Sequence, residues 1–348
     1  RGDLATAFAY YLQAAERAQD AKLAELAVRA AVTSGDQQAM DRGVTLWLAL
    51  APQSIGAHQI AALIRIKAGD REGALTHLSR VVQIAGADAA TGYNHAIGIL
   101  SRTDDTQERV SLMRALVDLD AENAEAQQAL ATVAASAGDH ALAEAAARRA
   151  LELRPQWSKP QIFLVRLMLS QGKRDEARGL LERSVTSSPE DQGLRLLYGQ
   201  FLVEEKEFSG ARREFERLLS TQPKEPDVLF AAAILSLQLQ DLDAARIYFT
   251  RLYQTGQRQG EAAYYLGQVE ERAGHPAAAI DWYAKASATN RTEAQVRIAV
   301  IRAKQGDVAR AREIVQQLRD QSPGDAETLY LVEAEILDEV GRRDEAMD

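Results

Sequence analysis

The feature that most constrains this chain is a turn that returns at a fixed interval. Aligning the residues that stand between two amphipathic stretches gives Gly35, Gly69, Gly138, Gly172, Lys206, Gln240, Gly274, Gly306 and Gly341. Most successive members lie 34 residues apart, and the one long gap is two intervals with an inserted residue, its missing turn falling near Thr103 and Asp104. Such a period means that the chain builds one supersecondary unit repeatedly, each unit burying its apolar face only against a neighbour. A length of 348 residues would otherwise suggest about two domains. The repeat predicts one continuous stack instead.

Fixed columns accompany the turn. Seven residues before it stands a short side chain, as at Val28, Ala62, Ala131, Val165, Gly199, Ala233, Gly267, Ala299 and Ala334. Five after it stands another, from Ala7 and Ala74 through Ala143, Ala177, Ala211, Ala245, Ala279 and Ala311 to Ala346, with only Met40 breaking the column. Short side chains at both places let two helices cross closely. Four residues further on, Tyr11, Leu78, Leu181, Phe215, Phe249 and Tyr283 are predicted to fill the space between neighbouring repeats. Seventeen after the turn, Pro52, Pro155, Pro189, Pro223 and Pro323 stop the second helix. The dipeptides Gly2-Asp3, Gly35-Asp36, Gly69-Asp70, Gly138-Asp139 and Gly306-Asp307 combine a left-handed helix end with a cap for the next helix. Arg1-Gly2-Asp3 therefore reads as a repeat turn. Composition agrees: the chain is 46% hydrophobic with only 3 Trp and 7 Phe, so burial rests on many close helix contacts and few aromatic anchors.

Period and columns together resemble the tetratricopeptide repeat. The resemblance implies an all-α, right-handed superhelical solenoid of about ten helix-turn-helix units, cut within a repeat at both ends. Residues 1–19 form a partial repeat, 20–86 two repeats, 87–120 a divergent one, 121–323 six repeats, and 324–348 a partial one, so the natural chain is expected to continue in both directions. Within the divergent repeat the second helix, near Gln107 to Asp118, lacks the small crossing residue, which predicts a weak or bent point.

Little in the sequence suits catalysis. The absence of cysteine excludes disulfides, thiol nucleophiles and Cys-ligated metals. His58, His77, His95, His140 and His275 show no metal-ligand spacing and read as helix-surface or turn residues. Gly172-Lys173-Arg174 lacks the rest of a phosphate-binding loop, and no GxGxxG occurs. Asp118, Asp120 and Glu122 begin like a calcium loop, but Asn123 replaces its glycine and Ala129 its closing carboxylate. Asn290-Arg291-Thr292 reads as an accidental glycosylation triplet. No catalytic residue, metal or cofactor is expected. A net charge of -9 without a basic face argues against nucleic acid. No apolar run approaches the roughly 20 residues needed to span a bilayer, so the chain itself reads as soluble.

Function is expected on the inner wall of the superhelix, lined by the first helix of each pair. Its positions are mostly polar in the early repeats and apolar later. The resulting strip comprises Ile162, Leu196, Val203, Phe230, Ile234, Leu237, Tyr264, Val296 and Val300, and would hold an extended peptide or an amphipathic helix. The Lys and Asn clamp of chaperone-binding members is missing, and so is the asparagine ladder of the glycosyltransferase superhelix, for only Asn94, Asn123 and Asn290 are present.

The opening Gly2 to Arg17, the segment Leu23 to Ala31 and the segment Leu46 to Pro52 resemble tetratricopeptide lipoproteins of Gram-negative bacteria, including the Pseudomonas adaptor of a periplasmic carboxyl-terminal processing protease. That resemblance implies a noncatalytic adaptor that brings peptidoglycan hydrolases to the protease. It also implies a periplasmic location, with an outer-membrane lipid anchor attached upstream of Arg1. The competing expectations are an assembly scaffold for other envelope machinery, such as polysaccharide export, and the regulatory part of an enzyme.

Overall fold

A computed structural model describes residues 2–86, 88–322, 324 and 326–342. Arg1, Ala87, Pro323, Ala346 and Asp348, which the sequence assigns to a turn, repeat boundaries and columns, lie outside the described residues. Those described form twenty α-helices, one short 3-10 turn and no strand, which is the all-α repeat solenoid the periodicity predicts.

Two compact units divide the chain, 1–188 and 189–348. The first holds the helix Gly2–Ala18 and five pairs: Ala21–Ser34 with Gln37–Leu50, Ile55–Lys67 with Arg71–Ala85, Ala89–Leu100 with Thr106–Asp118, Ala124–Ser136 with His140–Leu153, and Ser158–Ser170 with Arg174–Ser187. The second holds four pairs and a further first helix: Gln192–Glu204 with Phe208–Thr221, Pro226–Gln238 with Leu242–Gln254, Gln259–Arg272 with Pro276–Tyr283, Arg291–Lys304 with Val308–Gln321, then Ala326–Glu339. Each unit has its own core clusters.

All nine aligned turn residues are left-handed, with φ between 60° and 89°. The N–H of the following residue reaches back five positions to a helix carbonyl, as in Asp70 to Arg65, Glu207 to Leu202 and Asp307 to Arg302, at 2.8 to 3.0 Å. This satisfies a carbonyl that the helix end would otherwise leave open. Where the following residue is Asp36, Asp70, Asp139 or Asp307, its carboxylate also accepts a backbone N–H from the next helix. One residue thus closes one helix and opens another. Lys206 and Gln240 adopt this conformation without being glycine, at φ 61° and 60°, against a cost of roughly 1–2 kcal/mol for an L-residue.

The two small columns meet where the helices cross. Ala74, Ala143, Ala177, Ala211, Ala245, Ala279 and Ala311 are fully buried. Gly199 and Gly267 stand opposite aromatic rings: a Cβ on Gly199 would lie 2.8 Å from Phe215, and one on Gly267 2.5 Å from Tyr283. Leu78, Leu181, Phe249 and Tyr283 are fully buried, and Phe215 nearly so, as expected of their column. Tyr11 is the exception and is exposed at 37%. In its helix the buried stripe runs through Phe8, Leu12 and Ala15, one residue along, because this helix packs chiefly on Ala21–Ser34 behind it.

The divergent pair Ala89–Leu100 and Thr106–Asp118 has no left-handed turn between its helices among the described residues. The two helices touch each other sparingly and pack mainly on their neighbours, with Leu112, Met113, Leu116 and Val117 buried. Five residues after the missing turn, Glu108 and Arg109 replace the alanine of the other repeats, and their long side chains keep the two helices from crossing closely.

Three substitutions test these constraints, two in one direction and one in the other. Lys206→Gly and Gln240→Gly relieve left-handed strain at exposed sites and are expected to stabilise the protein by about 0.5–1 kcal/mol each, read as a higher urea midpoint; an unchanged or lower midpoint contradicts the strain. Gly267→Ala gains helix propensity of about 1 kcal/mol but drives a methyl into the buried Tyr283 ring, whose hydroxyl is tied to Glu271 at 2.8 Å. Overpacking of about 1–3 kcal/mol is expected to win, giving a net loss of stability, and a gain would show that the ring yields.

Candidate functional site

In the second unit the first helices Gln192–Glu204 and Pro226–Gln238 barely touch each other, because both pack on the second helix Phe208–Thr221 behind them. The gap is a cleft of about 820 Å³. Leu196 and Val203 line one side and Phe230 and Ile234 the other, with Phe215 and Leu218 from the rear helix at the back. Leu196 and Val203 are exposed, at 38% and 36%, while Phe230 and Ile234 are half-buried.

The Phe230 ring has structural neighbours of its own. It meets Phe249 and Tyr265 edge-on, at 6.1 and 5.4 Å between centroids, and the Arg258 guanidinium lies 3.9 Å from its centroid. Arg258 in turn pairs with Asp227 at 2.8 Å and Glu261 at 2.7 Å, and Glu261, then Asp227, hold its pKa above the ordinary value despite burial. It stands immediately before Gln259–Arg272 with a left-handed φ of 53° and makes no side-chain cap there. Polar groups ring the cleft mouth: the amides Gln192, Gln200 and Gln222 and the carboxylates Glu204, Glu225 and Asp227. No lysine or arginine is among the lining residues. Such a surface offers apolar burial and hydrogen bonds but no assembled nucleophile, base and oxyanion donors.

Four of the nine strip residues, Leu196, Val203, Phe230 and Ile234, therefore come together in one cleft. Leu237 is buried at 7% exposure, packed into the core cluster with Leu235; it shares the Phe230 face, but the core covers that end of the helix. Tyr264, Val296 and Val300 are half-buried against the cluster around Tyr283 and Ile298, outside the cleft. Ile162 is half-buried in the first unit. The polar rim at Gln222, Glu225 and Asp227 is not legible in the sequence, because these residues sit at a loop and a helix start, off the columns that the period highlights.

A second cleft, of about 620 Å³ in the first unit, is lined in part by Leu48, Leu75, His58, His77 and Leu119. Contrary to the helix-surface reading of the histidines, His58 is buried at 8%, and its Nδ1 lies 3.0 Å from Nδ1 of His77. The other ring nitrogen of His58 meets the Pro52 carbonyl at 3.1 Å. A carbonyl only accepts, so neutral His58 carries its proton on Nε2 and its Nδ1 accepts from His77 Nδ1–H. The pair ties the interrepeat loop to both helices of its repeat. Arg195 does the same at matching positions of the second unit, pairing with buried Glu214 at 2.5 Å and donating to the Pro189 carbonyl. Among the described residues no group of three or more His, Asp or Glu is arranged to hold a metal, and no helix is long and apolar enough to cross a membrane.

Tetratricopeptide-repeat family models match residues 124–156, 168–235, 230–291 and 293–325, together more than half of the chain. No curated protein sequence matches significantly. Similar solved structures include YrrB, a TPR protein with an unusual peptide-binding site, at 17% identity and a TM-score of 0.42, covering 50% of this chain and 89% of that one. Pseudomonas aeruginosa PilF is similar at 19% identity and a TM-score of 0.42, covering 63% and 98%. PilW, a widely conserved type IV pilus biogenesis factor, gives 18%, 0.41, 59% and 97%.

The histidine pair makes the first unit sensitive to acid. Burial, then His58 and then Arg65 lower the pKa of His77 from its ordinary 6.5, with Asp70 opposing. The unfolded chain then binds a proton more readily than the folded one, so stability is full above pH 6.5 and is lost as pH falls from there toward the folded value. His77→Gln is expected to flatten the melting temperature of this unit between pH 7 and pH 5; an equally steep dependence in the variant would place the acid sensitivity elsewhere.

Proposed function

The chain belongs to the tetratricopeptide-repeat proteins, and from that premise we propose that it is a noncatalytic adaptor that holds partner proteins. The observation that carries this reading is the cleft between Gln192–Glu204 and Pro226–Gln238, whose exposed Leu196 and Val203 face half-buried Phe230 and Ile234 across about 820 Å³. Exposed apolar side chains facing a concave gap are stabilised by an incoming apolar segment, and a rim of amides provides partners for its main chain. Ordered helices present this surface ready-formed, so a partner segment meets a smaller ordering cost.

The finer proposal follows from the resemblance of the first repeats, Gly2 to Arg17 and Leu23 to Ala31. The chain binds a periplasmic carboxyl-terminal processing protease and brings peptidoglycan hydrolases to it, held at the outer membrane by a lipid anchor. An adaptor of this kind accelerates proteolysis by raising the local concentration of substrate.

Affinity capture of the full-length protein from bacterial envelopes at moderate salt, followed by mass spectrometry, tests both levels. The protease together with cell-wall hydrolases is the expected catch; export or synthesis machinery without a protease would transfer the function to an assembly scaffold. Leu196→Gln with Val203→Gln alters exposed side chains and spares the ring cluster around Phe230. This variant is expected to weaken capture at least about tenfold with the helical circular dichroism unchanged. Undiminished capture by the folded variant would remove the cleft from the contact.

A further inference from the structure

Resting on the reading of this cleft as a peptide seat, we infer that its occupant is a short segment of a partner protein in which neighbouring apolar side chains are flanked by lysine or arginine. The apolar part follows from Leu196, Val203, Phe230 and Ile234 facing one another. The volume, within the roughly 300–1,000 Å³ of ordinary ligand pockets, takes a few side chains and excludes a folded domain.

The flanking charge follows from the rim. Glu204, Glu225 and Asp227 are the ionisable residues that line the cleft, and all are acidic. Asp227 is answered by Arg258 at 2.8 Å, whereas Glu225 forms no ion pair among the described residues and makes no side-chain cap to the helix it precedes. A concave surface lined by one sign of charge with apolar walls concentrates the field, attracts cations and repels anions. The molecule also displays internally how a guanidinium is held here: Arg258 lies on the Phe230 ring, 3.9 Å from its centroid, while its nitrogens meet Asp227 and Glu261. Ring face and carboxylate together hold that planar cation, which leaves Glu225 as the rim carboxylate that meets an incoming one. A second copy of this chain, with net charge -9, brings the wrong sign, and so does an anionic lipid surface.

Fluorescence anisotropy of the intact chain with four short labelled peptides tests the inference. Three carry the same pair of leucines flanked by lysines, glutamines or glutamates; the fourth keeps the lysines and replaces the leucines with serines. The lysine-flanked leucine peptide is expected to bind at least about tenfold tighter than the glutamine-flanked one and to weaken as sodium chloride rises, with the glutamate-flanked peptide weakest. Glu225→Gln is expected to narrow the preference and Glu225→Lys to reverse it, both with unchanged circular dichroism, since no cap is removed. Equal binding of the three leucine peptides overturns the charge inference and leaves the peptide seat standing. Equal binding of the serine peptide reduces the effect to surface charge and overturns the inference. Failure of every peptide to bind overturns the seat and the inference together.

Discussion

The structure depends on two helices being able to cross at van der Waals distance once in each regular repeat. Where the crossing holds Ala74, Ala177 or Ala245, the backbone itself becomes the packing surface, and the larger residues one turn away close the space around it. Glycine takes the opposing place where the facing residue is Phe215 or Tyr283, so volume is conserved across the pair and not at each position. The divergent pair shows the converse: with Glu108 and Arg109 at the crossing in place of a small residue, the two helices lean on their neighbours more than on each other.

Close crossing requires the chain to reverse in very few residues, and the left-handed turn supplies that reversal. The same geometry leaves a loop between repeats whose carbonyl faces the next first helix. Gln127, Gln161 and Arg195, themselves 34 residues apart in sequence, each donate to a carbonyl six positions back, and His58 meets Pro52 in the same way. A buried or half-buried loop carbonyl without a donor would be costly, so this polar contact recurs with the apolar ones. What differs is the group behind it. Arg195 brings a fixed charge and pairs with Glu214; His58 brings an imidazole whose other nitrogen meets His77.

The cleft is a consequence of the same arrangement. First helices of successive repeats rest on the second helix between them, leaving apolar side chains on their facing sides incompletely covered. Phe230 illustrates how structure and recognition share one residue: its ring edges are held by Phe249 and Tyr265 and its face by Arg258, so the side it presents to the cleft is fixed. Leu196 and Val203 lack that support and remain exposed. Rigid and adaptable walls thus face each other, with acidic groups at the mouth.

By itself the sequence determined what is local to one repeat. The helix pairs, the left-handed turns including Lys206 and Gln240, the Asp caps and the buried alanine columns all follow from interactions that recur at a fixed spacing, and each could be read from it. It also singled out the faces on which Leu196, Val203, Phe230 and Ile234 lie. The tertiary structure decided which members of those faces stay uncovered: Leu237 shares the Phe230 face yet is buried, and Tyr11 sits in the right column on a helix whose buried stripe runs through Leu12 instead. It also decided the partnerships of His58 with His77 and of Arg258 with Phe230 and Asp227. The physical reason is that periodicity reports the direction of a side chain from its own helix axis, whereas exposure and pairing depend on the distance to another helix, which is set by every side chain packed between them.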